Sequence, residues 1–111
     1  MLQILEGYIN TTDERHKLVV NNMANVDTPG YHTKDIDFRS ELSRSLGGGE
    51  NAIGMPIVQN VSGLIERPDG NNVSLDREGL VLSETQLQFR IGVQLIRTEF
   101  HRIMSAINEG K

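Results

Sequence analysis

The chain has no cysteine. Disulfides, thiol catalysis and thiolate metal sites are therefore excluded. It also lacks an excess of positive charge. Lys+Arg number 11 against 15 Asp+Glu, a formal net charge of -4, where a nucleic-acid binder normally carries a basic patch or stripe. No stretch approaches the roughly 18 apolar residues of a membrane-spanning helix. Met1 to Asn10 has neither the basic n-region nor the long apolar h-region of a Sec-type signal. The expectation is a protein that stays in the cytoplasm or leaves by a route without a cleaved signal.

Catalytic constellations are missing as well. There is no Ser-His-Asp order, phosphate-binding loop or nucleotide fingerprint, and His16, His32 and His101 have no metal-ligand spacing. No enzyme activity, cofactor or metal is expected. Asp35 and Asp37 alternate in an extended stretch and read as solvated, or as capping the segment that starts at Phe38, rather than as an acid/base pair. Asp76-Arg77-Glu78 reads as a solvated first turn of a helix.

What is present is helical pattern at both ends. Leu2, Leu5, Ile9, Thr12, His16, Val19, Met23 and Val26 recur by three and four, the spacing of a coiled-coil seam. The pattern predicts a helix from about Leu2 to Asn25 that stops at Asp27-Thr28-Pro29-Gly30, with Pro29-Gly30 suited to the centre of a type II turn. Leu82, Gln86, Phe89, Val93, Ile96, Phe100, Ile103 and Ile107 form a second seam, and Leu80, Leu87, Ile91 and Leu95 widen its apolar face. Ser74 is a good N-cap, and Asp76 and Glu78 suit the positive end of the helix dipole. A helix over Leu75 to Asn108, closed by Gly110, would be on the order of 50 Å long. Gly79 and Gly92 inside it leave two readings open, exposed drift or close helix–helix approach.

Between the helices, Tyr31 to Asp37 reads as extended and Phe38 to Leu46 as a short amphipathic helix. Gly47-Gly48-Gly49 is a link, Met55 to Ile65 has the composition of a small β-hairpin, and Pro68 to Asn72 is a turn cluster. The fold class is mainly α: N- and C-terminal helices paired as an antiparallel, coiled-coil-like hairpin. Residues 1–30 hold the first helix and its turn, 31–73 an irregular middle, and 74–111 the last helix, with both ends forming one assembly domain. The two seams hold too few apolar side chains to offset the ordering of both helices. Apolar Ile4, Val20, Leu95 and Met104 outside them imply further helices as neighbours.

The run Asn22-Met23-Ala24-Asn25-Val26-Asp27-Thr28-Pro29-Gly30-Tyr31 fits Asn-x-Ala-Asn-x-x-Thr-Pro-Gly-Tyr at every fixed position. In this place, at the end of a first helix, it closely resembles the signature of flagellar rod and hook proteins. Asp35-Ile36-Asp37-Phe38 and the stretch Asp69 to Glu78 are similar to a proximal-rod member of that family. The Arg-x-Tyr-Glu-x-Asn ending usual in other members is missing, which argues against a rod subunit of the FlgC type. The resemblance implies a structural subunit of the proximal rod, part of the axial shaft and export channel between the MS ring and the distal rod and hook, and required for motility. It would be exported without a cleaved signal and sit in the periplasmic basal body. Its partners would be rod subunits of the FlgC and FlgF types, the adaptor FliE, the MS-ring protein FliF and the flagellar type III export apparatus. Asn22, Ala24, Asn25, Thr28, Pro29, Gly30 and Tyr31 are then either a helix stop and turn alone or also a contact between subunits. A soluble helical adaptor or export chaperone is the competing class; it would be folded in isolation, where a rod subunit would be ordered chiefly by assembly.

Overall fold

The computed structural model describes residues 2–47 and 56–109. The Gly48-Gly49 part of the expected link, and Gly110 at the end of the last helix, lie outside them.

The first helix, α1, spans Leu2–Ala24. It ends in tightening turns, with Val26 N donating to Met23 O at 3.3 Å and Thr28 N to Asn25 O at 3.0 Å. Pro29 follows, and Tyr31 N donates to Thr28 O at 3.2 Å across Gly30, whose φ is 76°. That is the left-handed position a type II turn requires.

A short strand, β1 (Lys34–Ile36), leads to α2 (Phe38–Leu46). Asp37 caps α2, its carboxylate accepting from Ser40 N at 3.3 Å and Ser40 Oγ at 2.8 Å. The Phe38 ring packs edge-on against Tyr8, centroids 5.2 Å apart, and seats α2 on α1. Strand β2 (Val58–Asn60) forms inside the segment expected to be a hairpin, but its antiparallel partner is β1. Asp35 lies opposite Gln59, with α2 inserted between the strands. Half-buried α2 explains the longer-range pairing, because its Glu41 carboxylate accepts from Ile57 N at 3.0 Å and leads the chain back to β1.

The last helix, α3, spans Leu75–Glu109 and makes the molecule long, 68 × 27 × 17 Å. Its start is capped by Ser74, whose Oγ accepts from Arg77 N at 3.3 Å. α1 and α3 run antiparallel: Asn22 meets Glu78, His16 meets Thr85, and Tyr8 and Ile9 meet Gly92. The N-terminal seam faces inward, with Leu5, Thr12 and Val19 buried, Ile9, His16, Met23 and Val26 half-buried and Leu2 at the exposed end.

On α3 the line that meets α1 is Glu78, Val81, Thr85 and Gly92, one position round from the apolar seam read from the sequence. Leu82, Val93 and Ile96 are half-buried on its flank, and Phe89 is 45% exposed. Continuing the same register brings Leu2 to about the level of Glu99. Phe100, Ile103 and Ile107 therefore stand beyond the end of α1 and are exposed. Among the described residues the buried apolar side chains are Leu5, Val19, Ile36, Val73 and Val81, and the buried polar ones are more numerous.

Candidate functional site

The sequence signature begins on the last turn of α1, where Asn22 is fully buried. Its amide donates to Lys34 O at 2.8 Å and to Glu78 Oε2 at 3.1 Å. Its carbonyl oxygen accepts from Tyr31 Oη at 2.8 Å and Lys34 N at 3.2 Å. One side chain thus ties α1 to the turn, to β1 and to α3. Burial, helped by the charge of Glu78, raises the Tyr31 hydroxyl above its ordinary pKa and keeps it a donor. Asn25 stays local: its amide donates to Asn21 O at 2.8 Å and its oxygen accepts from Thr28 Oγ1 at 3.0 Å. Ala24, Thr28, Pro29 and Gly30 are exposed.

The second stretch singled out in the sequence, Asp69 to Glu78, lies directly against the first. Gly30 N donates to Asp69 O at 2.9 Å. Gly70, at φ 86°, packs so closely that a Cβ there would meet Gly30 Cα at 3.3 Å. Buried Asn71 donates to both Asn25 O and Thr28 O at 2.8 Å, while its oxygen accepts from Val73 N at 2.8 Å. It gives a second donor to two carbonyls that already accept from Thr28 N and Tyr31 N in the turns after α1. Asn72 Oδ1 accepts from Thr33 N at 2.7 Å.

Beside this clasp lies an ionic group the sequence reading placed in solvent. Asp35 is buried, not solvated: Arg15 Nε donates to it at 2.9 Å, Arg15 Nη2 at 3.2 Å and Arg77 Nη2 at 2.6 Å. Burial pushes its carboxyl up, but the Arg15 hydrogen bonds, the Ile36 amide and Arg77 outweigh that and hold it below the usual carboxylate range. Arg77 also pairs with Glu78 at 2.8 Å, and Glu78 has no exposure. The first turn of α3 is thus a buried junction. Only Asp76 and Asp37 of the acids considered there face water, Asp37 as the α2 cap. The sequence carries no signal for the junction: Arg15 and Arg77 are flanked by other charges, in Asp13-Glu14-Arg15-His16-Lys17 and Asp76-Arg77-Glu78, and spacing along the chain does not reveal pairs so far apart.

The clasp uses its polar atoms inside the chain, so the outward surface is α3. Leu80, Leu87, Ile91 and Leu95 are 70%, 56%, 46% and 45% exposed on the side away from α1. Phe89, Phe100, Met104 and Ile107 are exposed on another side. No described helix is long and apolar enough to cross a membrane.

No protein-family model matches the chain. Among curated proteins it is similar to the flagellar basal body rod protein FlgB of Salmonella typhimurium, 26% identical over an alignment 129 positions long that covers 98% of this chain and 94% of the relative. The Bacillus subtilis protein of that name is 25% identical, with 99% and 95% covered. That of Cereibacter sphaeroides is 31% identical over an alignment 108 positions long, which covers 86% of this chain and 84% of the relative.

Proposed function

Because the chain belongs to the family of the flagellar basal body rod protein FlgB, we propose that it is a structural, non-enzymatic subunit of the proximal rod. In that role it joins the MS ring to the distal rod and hook and contributes to the wall of the export channel. Its partners are rod subunits of the FlgC and FlgF types, the adaptor FliE and the MS-ring protein FliF. It reaches the periplasmic rod through the type III export apparatus without a cleaved signal.

The observation that carries this reading is the exposed apolar surface of α3 on two sides and past the end of α1. A lone chain would leave that surface in water, at a cost of about 25 cal/mol per Å² relative to burial. A packed tube of helices covers it. The Asn22, Asn25, Thr28 and Tyr31 side chains serve this role indirectly, by fixing the angle and register at which α1 and α3 are presented.

Deleting the gene and imaging basal bodies tests the reading. MS rings without rods, in non-motile cells, are expected; rods still standing on the rings would overturn it. Phe100→Asp separates assembly from folding. Phe100 is 56% exposed and beyond α1, so the unfolding free energy of the lone chain should stay within about 0.5 kcal/mol. Incorporation should nevertheless fail, because a carboxylate would be buried against a neighbour. Normal motility of that variant would contradict the packing role.

A further inference from the structure

The two long helices carry opposite charge on the outer edges of one face. A groove of about 370 Å³ runs along that face, with Asp13 and His16 on the α1 wall and Gln86, Phe89 and Arg90 on the α3 wall. Seven residues, two helical turns, separate Asp13 from Glu6 on one edge and Arg90 from Arg97 on the other, so each pair shares a side of its helix. All four are exposed. The antiparallel register, with His16 at Thr85 and Ile9 at Gly92, sets Asp13 near the level of Arg90 and Glu6 near that of Arg97. Asp13 also pairs with Lys17 at 3.3 Å, on a side chain that is 64% exposed; among the described residues the ion pairs include neither Arg90 nor Arg97. Thr85 to Asn108 holds Arg90, Arg97 and Arg102 against Glu99 alone, in a chain of net charge -4.

We propose that these edges are complementary, so that the Arg90/Arg97 edge of one copy seats the Glu6/Asp13 edge of the next. This rests on the assembly role given above and specifies which edges meet. Copies set side by side in one orientation bring an α3 against the neighbour's antiparallel α1, as within the hairpin itself. Asp13 then faces Arg90, and Glu6 faces Arg97. The two edges differ, so the contact is heterologous: each copy uses one edge to bind and leaves the other to be bound, which builds a ring or a helical array and not a closed pair. Exposed Leu2, Val20 and Phe89 near these edges are covered at the same time.

The test is charge reversal, read as the amount of chain recovered in isolated basal bodies. Asp13→Arg alone and Arg90→Glu alone should each lower recovery roughly tenfold, because like charges then face each other. The chain carrying both reversals should recover, since every contact again joins opposite signs. Glu6→Arg with Arg97→Glu repeats the test one level along, and purified variants should all melt with the parent, the positions being exposed. Equal recovery of all variants, or no rescue by the double reversal, overturns the edge contact while leaving the rod role intact. Absence of the parent chain from basal bodies would instead sink the role itself, and the contact with it.

Discussion

Removing the Asn71 side-chain amide would strand the buried N–H of Val73 and take a second donor from the carbonyls of Asn25 and Thr28, which keep the N–H groups of Thr28 and Tyr31. A buried group left without a partner costs about 1–3 kcal/mol. Asn71→Ala should therefore lower the unfolding free energy by about 1–3 kcal/mol, measured by chemical denaturation; a loss below about 0.5 kcal/mol would mean water replaces the amide. Asp35 makes a second prediction, through pH. Its carboxyl is held below the ordinary range, so its contribution is complete above the unfolded value of about 3.9 and is lost as pH falls through the folded value. The stability gap between the parent and Asp35→Asn should thus be flat from about pH 7 to pH 5 and shrink below about pH 4. A gap that widens on acidification would reverse the assigned sign. The buried junction of Arg15, Asp35, Arg77 and Glu78 was not legible in the sequence. Spacing identifies residues on one face of one element, and these come from three.

Gly92 and Gly79 sit in the same helix and should respond to Ala in opposite ways. A Cβ on Gly92 would meet Ile9 Cγ1 at 2.9 Å and the Tyr8 ring at 3.0 Å, whereas one on Gly79 meets nothing within 4 Å. Gly79→Ala should gain up to about 1 kcal/mol from helix propensity. Gly92→Ala should lose about 1–3 kcal/mol to overpacking despite the same gain. Thermal melts of the two variants decide this, and equal shifts would refute the close approach at Gly92. The helices, the turn at Pro29-Gly30 and the α2 cap at Asp37 follow from local chemistry, which explains why they could be read in advance. The inward line of α3 could not. Apolar counting selects Leu82, Phe89 and Val93, but Glu78, Thr85 and Gly92 meet α1, two of them satisfied by hydrogen bonds and one by having no side chain. The β1–β2 pairing escaped for a related reason, since the cue joining them is a side chain of α2, Glu41, and not a turn.

At the scale of the whole molecule the arrangement is inverted relative to an ordinary small domain. Hydrogen-bonding groups such as Asn22, Thr33, Asn71 and Glu78 fill the inside, while Leu80, Leu87, Ile91 and Phe100 are wet. The thermal consequence can be measured. Newly exposed apolar surface raises the heat capacity on unfolding, and newly exposed polar surface lowers it. Unfolding the lone chain should give a heat-capacity increment below the usual 12–15 cal/mol/K per residue, roughly, and so a stability curve that is shallow against temperature. Association, which takes the wet leucines and phenylalanines out of water, should carry a large negative increment instead. Warming would then weaken the single chain gradually while altering the enthalpy of polymerisation steeply, and calorimetry of the two steps would separate them.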